Sequence, residues 1–178
     1  MLFRSWNDLQ FNDDGVIERF RETIVEPLWD FCSKSLDARA IIWGTLDPFH
    51  KVSDKIAGAY NRGLFQHFKM ASIPLGDGIP QFLFYGTNLQ TGAAVRMMQN
   101  MLYDWKIGAI EMRDWELATV VGISSAFPPF LSPVILKPHP DRWIRGKYAL
   151  CFDDVKYREK LCLTDGGVYD NMGMESLW

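Results

Sequence analysis

With 178 residues, 48% of them hydrophobic and 23% charged with both signs mixed, the chain is long enough to bury a core and too apolar to remain disordered. A net charge of -3 and the lack of a long basic stripe argue against nucleic acid as a partner. No stretch approaches the roughly 18 apolar residues of a membrane span, and "MLFRSWNDLQFNDD" turns polar too early for a signal-peptide core.

One domain over residues 1–178 is the expectation. Cys32, Cys151 and Cys162 form no C-x-x-C pair, which favours free thiols in a reducing compartment. If Met1 is the native start, that gives a cytoplasmic reading. His50, His67 and His139 are widely scattered, so the expectation is no metal and no cofactor.

The first predicted element is an amphipathic helix over 13–36, where Val16, Ile17, Phe20, Ile24, Leu28 and Phe31 recur at helical spacing and Pro27 kinks or interrupts the run. A second helix is expected over 53–68, capped by Ser53, with Ile56, Tyr60, Leu64, Phe65 and Phe68 on one face. Pro and Gly then punctuate a loop over 70–81. In "QFLFYGTNLQTGAAVRM" two apolar runs flank a polar turn holding Thr91-Gly92, which predicts a hairpin. A third helix opens at Asp114 and is halted by Pro128-Pro129. "SPVILK" is a strand, "KPHPDRWIRGK" a loop, and "KLCLTDGG" a strand ending at the glycines. Helices alternating with strands give an α/β class or a part of one.

Asp165 is the leading candidate for chemistry, because ligands gather beyond the carboxyl ends of strands in sheets with crossover helices. Gly166 and Gly167 permit a sharp turn and close approach to the carboxylate. The bland alternative is a D-G turn with a solvated aspartate. "GISSA", residues 122–126, is a near miss to the G-x-S-x-G elbow. Ala126 replaces the second glycine and prolines follow at once, so Ser124 and Ser125 read as packing residues. The basic residues Lys137, Arg142, Arg145 and Lys147 suit either a solvated loop or the phosphates of a lipid surface. Trp43, Trp105 and Trp143 suit either packing or contact with membrane or acyl chains.

Taken in order, "FLFYGTNLQTGAAVRM", "ATVVGISSAFPPFLSPV" and "LTDGGVYDNMG" resemble the patatin-like phospholipase family of lipid acyl hydrolases. Residues 82–178 carry the resemblance. It implies a partial patatin-like sheet, central and parallel, related to the α/β hydrolases, with flanking helices. It also implies a serine–aspartate dyad acting on lipid or phospholipid esters, with possible peripheral membrane contact. Asp165 matches the aspartate of the family's D-G-G motif, which orients or deprotonates the serine. The serine attacks the ester carbonyl, backbone N–H groups of a glycine-rich loop hold the oxyanion, and water hydrolyses the acyl-enzyme. For that work a partly dry site must raise the basicity of the aspartate. The family's oxyanion loop and G-x-S-x-G do not occur in this chain. The expectation is therefore an internal piece, inert alone and prone to self-association through an uncovered sheet edge. The alternative is a degenerate patatin-like domain that binds lipid or a protein partner without chemistry.

Overall fold

The computed structural model describes residues 9–33, 52–128, 131 and 133–174. Seven strands form one sheet: β1 Phe84–Asn88, β2 Ala93–Met97, β3 Met101–Asp104, β4 Gly108–Glu111, β5 Val134–Leu136, β6 Trp143–Arg145 and β7 Leu161–Asp165. The helices are α1 Glu26–Cys32, α2 Val52–Tyr60, α3 Leu117–Ser124 and α4 Lys156–Glu159. Single π-type turns precede α1 (Arg21–Val25) and follow α2 (Asn61–Phe65).

The class is mixed α/β, but the expected parallel sheet is not what forms. In the order β5-β7-β1-β2-β3-β4-β6, every pairing is antiparallel. The reason lies in the connections. Strands β1 to β4 are joined by three or four residues, too few for the crossover that a parallel pair requires. Met97, Leu102, Ile110 and Trp143 stand directly opposite one another on successive strands, and all four are buried. That row is the floor of the core. Helix α3 lies over the same face, burying Leu117, Val120 and Ile123, and α2 packs on α3. A Cβ on Gly86 would stand 2.9 Å from Ile123 Cγ2, so the absent side chain lets helix and sheet close.

Several boundaries moved. The first predicted helix begins only near Arg21. Before it, Asn12 Oδ1 accepts from the amides of Asp14 and Val16, and Phe11 bridges to Ile17, which makes a tight turn. Pro27 lies where the π-type turn Arg21–Val25 passes into α1, in the first turn of α1, so the interruption expected at the proline is a change of helix type. Residues 34–36 of that expected helix lie outside the described residues. The second helix starts at Val52, so Ser53 is not its cap; it ends where Gln66 and His67 both turn left-handed, with φ of 48° and 59°. Helix α3 opens at Leu117 rather than Asp114, because the amides of Trp115 and Leu117 are taken by Met112 O and Phe68 O.

A buried polar knot ties the turns at one end of the sheet. Asp104, fully buried, accepts from Asn88 Nδ2 (2.9 Å), Thr91 Oγ1 (3.0 Å) and its own turn's Lys106 amide (2.9 Å). Lys106 Nζ returns to Thr91 O at 2.6 Å. A buried carboxylate is tolerated here because three donors converge on it.

Candidate functional site

Asp165 ends β7, between β1 and the edge strand β5, and is half-buried. Register pairs it with Gly86, so it shares the face that α3 covers. Three stretches far apart in the chain meet at this residue. Its amide donates to Ala126 O (3.1 Å), just past α3. Its carbonyl accepts from Thr87 Oγ1 on β1 (2.9 Å). Thr164 Oγ1, one residue before it, also donates to Ala126 O, at 2.6 Å. Val134 of β5 pairs with Leu163.

The carboxylate accepts from the Gly167 amide through Oδ1 at 2.6 Å, capping a short 3-10 turn over Gly166–Val168. Among the described residues Oδ2 has no hydrogen-bond partner. The two glycines serve close approach. A Cβ on Gly166 would lie 2.5 Å from Tyr85 Cβ, and one on Gly167 would lie 3.0 Å from both Asp165 Oδ1 and Asn171 Oδ1. Any side chain at 167 would press on the carboxylate itself.

The serines of "GISSA" sit where α3 ends, and no serine among the described residues hydrogen-bonds to the Asp165 carboxylate. Ser125 Oγ donates back to Val121 O (2.8 Å) and stands 3.4 Å from Tyr60 Oη. That back-bonding is the behaviour of a helix-terminal packing serine.

Phe127, just past Ala126, and Val168, Tyr169 and Met172, just past the glycines, are all exposed, with the polar Asp170 and Asn171 among them. At the end of the sheet toward which β7 points, Ile73, Leu75, Phe82, Met98 and Met101 line a groove of about 260 Å³, with Gln81, Gln99 and Asn100 at its margin. Gln99 Nε2 ties this groove's loop by donating to the carbonyls of Ala71 and Ile73.

A second polar cluster lies away from Asp165. Glu116 accepts from Asn61 Nδ2 and pairs with His67 Nδ1 at 2.7 Å. The His67 hydrogen bond, above all, holds the Glu116 carboxyl below the usual glutamate range, and Asn61 and Lys69 act the same way against the opposing effect of burial. No metal-ligand spacing in the sequence pointed to this cluster; it forms because the left-handed pair at 66–67 swings His67 toward the start of α3.

Of the other sequence candidates, Trp143 is buried, with Nε1 donating to Arg158 O at 3.0 Å, so it has no lipid-facing role. Arg145 is held in a two-bond fork by Asp153, at 2.6 and 2.8 Å. Lys137, Arg142 and Lys147 are exposed, and Trp43 lies outside the described residues. The three cysteines are free thiols. Among the described residues no three of His, Cys, Asp and Glu gather as a metal set, and no helix is long and apolar enough to cross a membrane. What sequence reasoning missed is Thr87 and Ala126, the two groups that fix the backbone of Asp165. Both lie inside the quoted stretches, but only strand pairing reveals their role. Compared with protein-family models, with curated proteins and with solved structures, the chain matches none.

Proposed function

We propose that this chain is the aspartate-bearing part of a patatin-like serine acyl hydrolase acting on lipid esters, with Asp165 as the base of a serine–aspartate dyad. In this reading the seven strands and their helices are part of a patatin-like α/β sheet. The carrying observation is the convergence at Asp165. The "YGT", "SSA" and "TDGG" segments are separated by dozens of residues, yet Thr87 and Ala126 both bond the main chain of Asp165 and the Gly167 amide bonds its carboxylate. The apolar rim and the neighbouring groove suit an acyl substrate better than a polar one.

The chemistry asks little of Asp165 beyond position. One oxygen is steadied by the Gly167 amide, leaving the other to accept the proton of a serine hydroxyl as that oxygen attacks the ester carbonyl. The departing alkoxide regains that proton, and water then cleaves the acyl-enzyme by the same route. The nucleophile is not Ser124 or Ser125: there is no G-x-S-x-G around them, and the Ser125 hydroxyl is spent on Val121 O. It belongs to a segment outside these residues. The bond from the Gly167 amide to Asp165 also favours a second reading, a non-catalytic module in which the aspartate is a turn cap.

The first of two measurements tests the exclusion of Ser124 and Ser125, and the second decides between the readings. A fluorophosphonate probe should label no serine of this chain, and labelling of Ser124 or Ser125 would overturn the assignment. Combined with a segment carrying a G-x-S-x-G elbow, the chain should hydrolyse a p-nitrophenyl ester. Asp165→Asn should then cost about a hundred- to ten-thousand-fold in turnover, the range for a general base. Turnover close to that of the unsubstituted protein leaves only the turn-cap role.

A further inference from the structure

Five strands across the sheet from Asp165, a span of roughly 24 Å at ordinary strand spacing, the turn after β6 meets the turn between β3 and β4. Cys151 N donates to Lys106 O at 2.8 Å and joins the two turns. Between them lies an open hollow of about 580 Å³, lined by Trp105, Arg145, Lys147, Tyr148, Leu150 and Asp153. Leu150 is 82% exposed and Tyr148 61%, while their neighbour Ala149 is buried and anchors the turn. A leucine so exposed at the tip of a tight turn gains nothing from the fold that presents it.

The charges here are arranged unevenly. Asp153 is consumed by Arg145. Lys147 stands over the Tyr148 ring, and Lys106 over the Trp105 ring with its ammonium on Thr91 O. Among the described residues neither lysine has an acidic partner. With the buried Asp104 beneath Lys106 counted, the two turns carry three cations and two carboxylates, a small positive excess on a chain of net charge -3. The tip combines an exposed aliphatic residue, two amphipathic aromatics and two ammonium groups outside any ion pair within two joined turns. That set meets a bilayer at headgroup level: aromatics at the boundary, cations on phosphates, the leucine below them.

We infer that the tip formed by Trp105, Lys106, Lys147, Tyr148 and Leu150 docks on the surface of an anionic phospholipid bilayer. It is a tether apart from Asp165, and it holds whether or not that residue is catalytic. A nucleic-acid partner fits less well, since two ammonium groups outside ion pairs are too few to track a phosphate backbone.

The test is co-sedimentation of the chain with vesicles of phosphatidylcholine alone and of phosphatidylcholine and phosphatidylserine in equal parts. The chain should pellet with the anionic vesicles, release them when salt is raised, and ignore the neutral ones. Lys147→Glu should weaken binding about tenfold or more, as reversing a charge at an anionic membrane surface does. Leu150→Asp should weaken it several-fold, and both exposed substitutions should leave the circular dichroism melt unchanged. Absence of binding, equal binding to neutral vesicles, or indifference to both substitutions would overturn the tether. So would displacement by millimolar inorganic phosphate, which would reveal a site for the free anion instead.

Discussion

Glu116 shows how one side chain sets a junction. It begins α3, receives Asn61 and His67, and steadies two consecutive non-glycine residues in left-handed backbone, each of which costs on the order of 1 kcal/mol. Its folded-state carboxyl titrates below the ordinary value of 4.5, chiefly through the His67 hydrogen bond. A depressed carboxyl contributes stability that is complete above the unfolded value and fades as pH falls through the folded one. Glu116→Gln should therefore lower the melting temperature near neutrality, and the gap to the unsubstituted chain should shrink as pH drops below about 4.5. A gap that stays constant down to pH ~3 would show that the carboxylate charge is not what holds the junction. The same scale explains why the site was half legible. Asp165 and its glycines declare themselves as D-G-G in the sequence. Thr87, by contrast, is an ordinary strand residue until register sets it opposite Thr164, 77 positions along the chain.

At the scale of elements, Gly108 governs the join of β4 to β6. Its φ is +138°, and a Cβ there would stand 2.1 Å from Ile144 O. That is backbone, with no flexible side chain to yield. Gly108→Ala should destabilise the chain by about 2 kcal/mol or more. Faster amide exchange in Trp143–Arg145 than in β1 and β2 would locate the damage at that join. Protection left intact in β6 would mean the strands can slide to absorb the methyl. The first three helices and the β1–β2 hairpin were readable because their apolar spacing runs through eight or more residues, whereas the four-residue α4 gave no such signal. Strands β3, β4 and β6 were not, since four or three residues give no period, and β6 fell within a stretch read as loop because of its prolines. Strand direction was misjudged for a related reason. The alternation of helix and strand suggested crossovers, whereas the turns after β1, β2 and β3 are too short to make any.

For the molecule as a whole, the sheet edges are not the main liability. Both edge strands, β5 and β6, are only three residues long, which limits pairing with another chain. The exposed apolar surface is elsewhere: Phe20, Leu28 and Trp29 along the first helical segment, with Trp29 76% exposed. Sedimentation velocity should show association that grows with concentration and that Leu28→Lys with Trp29→Lys reverses. If the double variant associates as strongly as the parent, the sticky surface is the rim around Asp165 instead.

The strand order carries a further consequence, one of timing. Strand β7 lies between β5 and β1, though it is the last of the seven to leave the ribosome. Until it arrives, β1 offers an open flank to solvent and β5 has nothing to hold. The half-made chain passes through its most vulnerable stage with that seam unzipped, and the insertion that seals it delivers Asp165 in the same stroke.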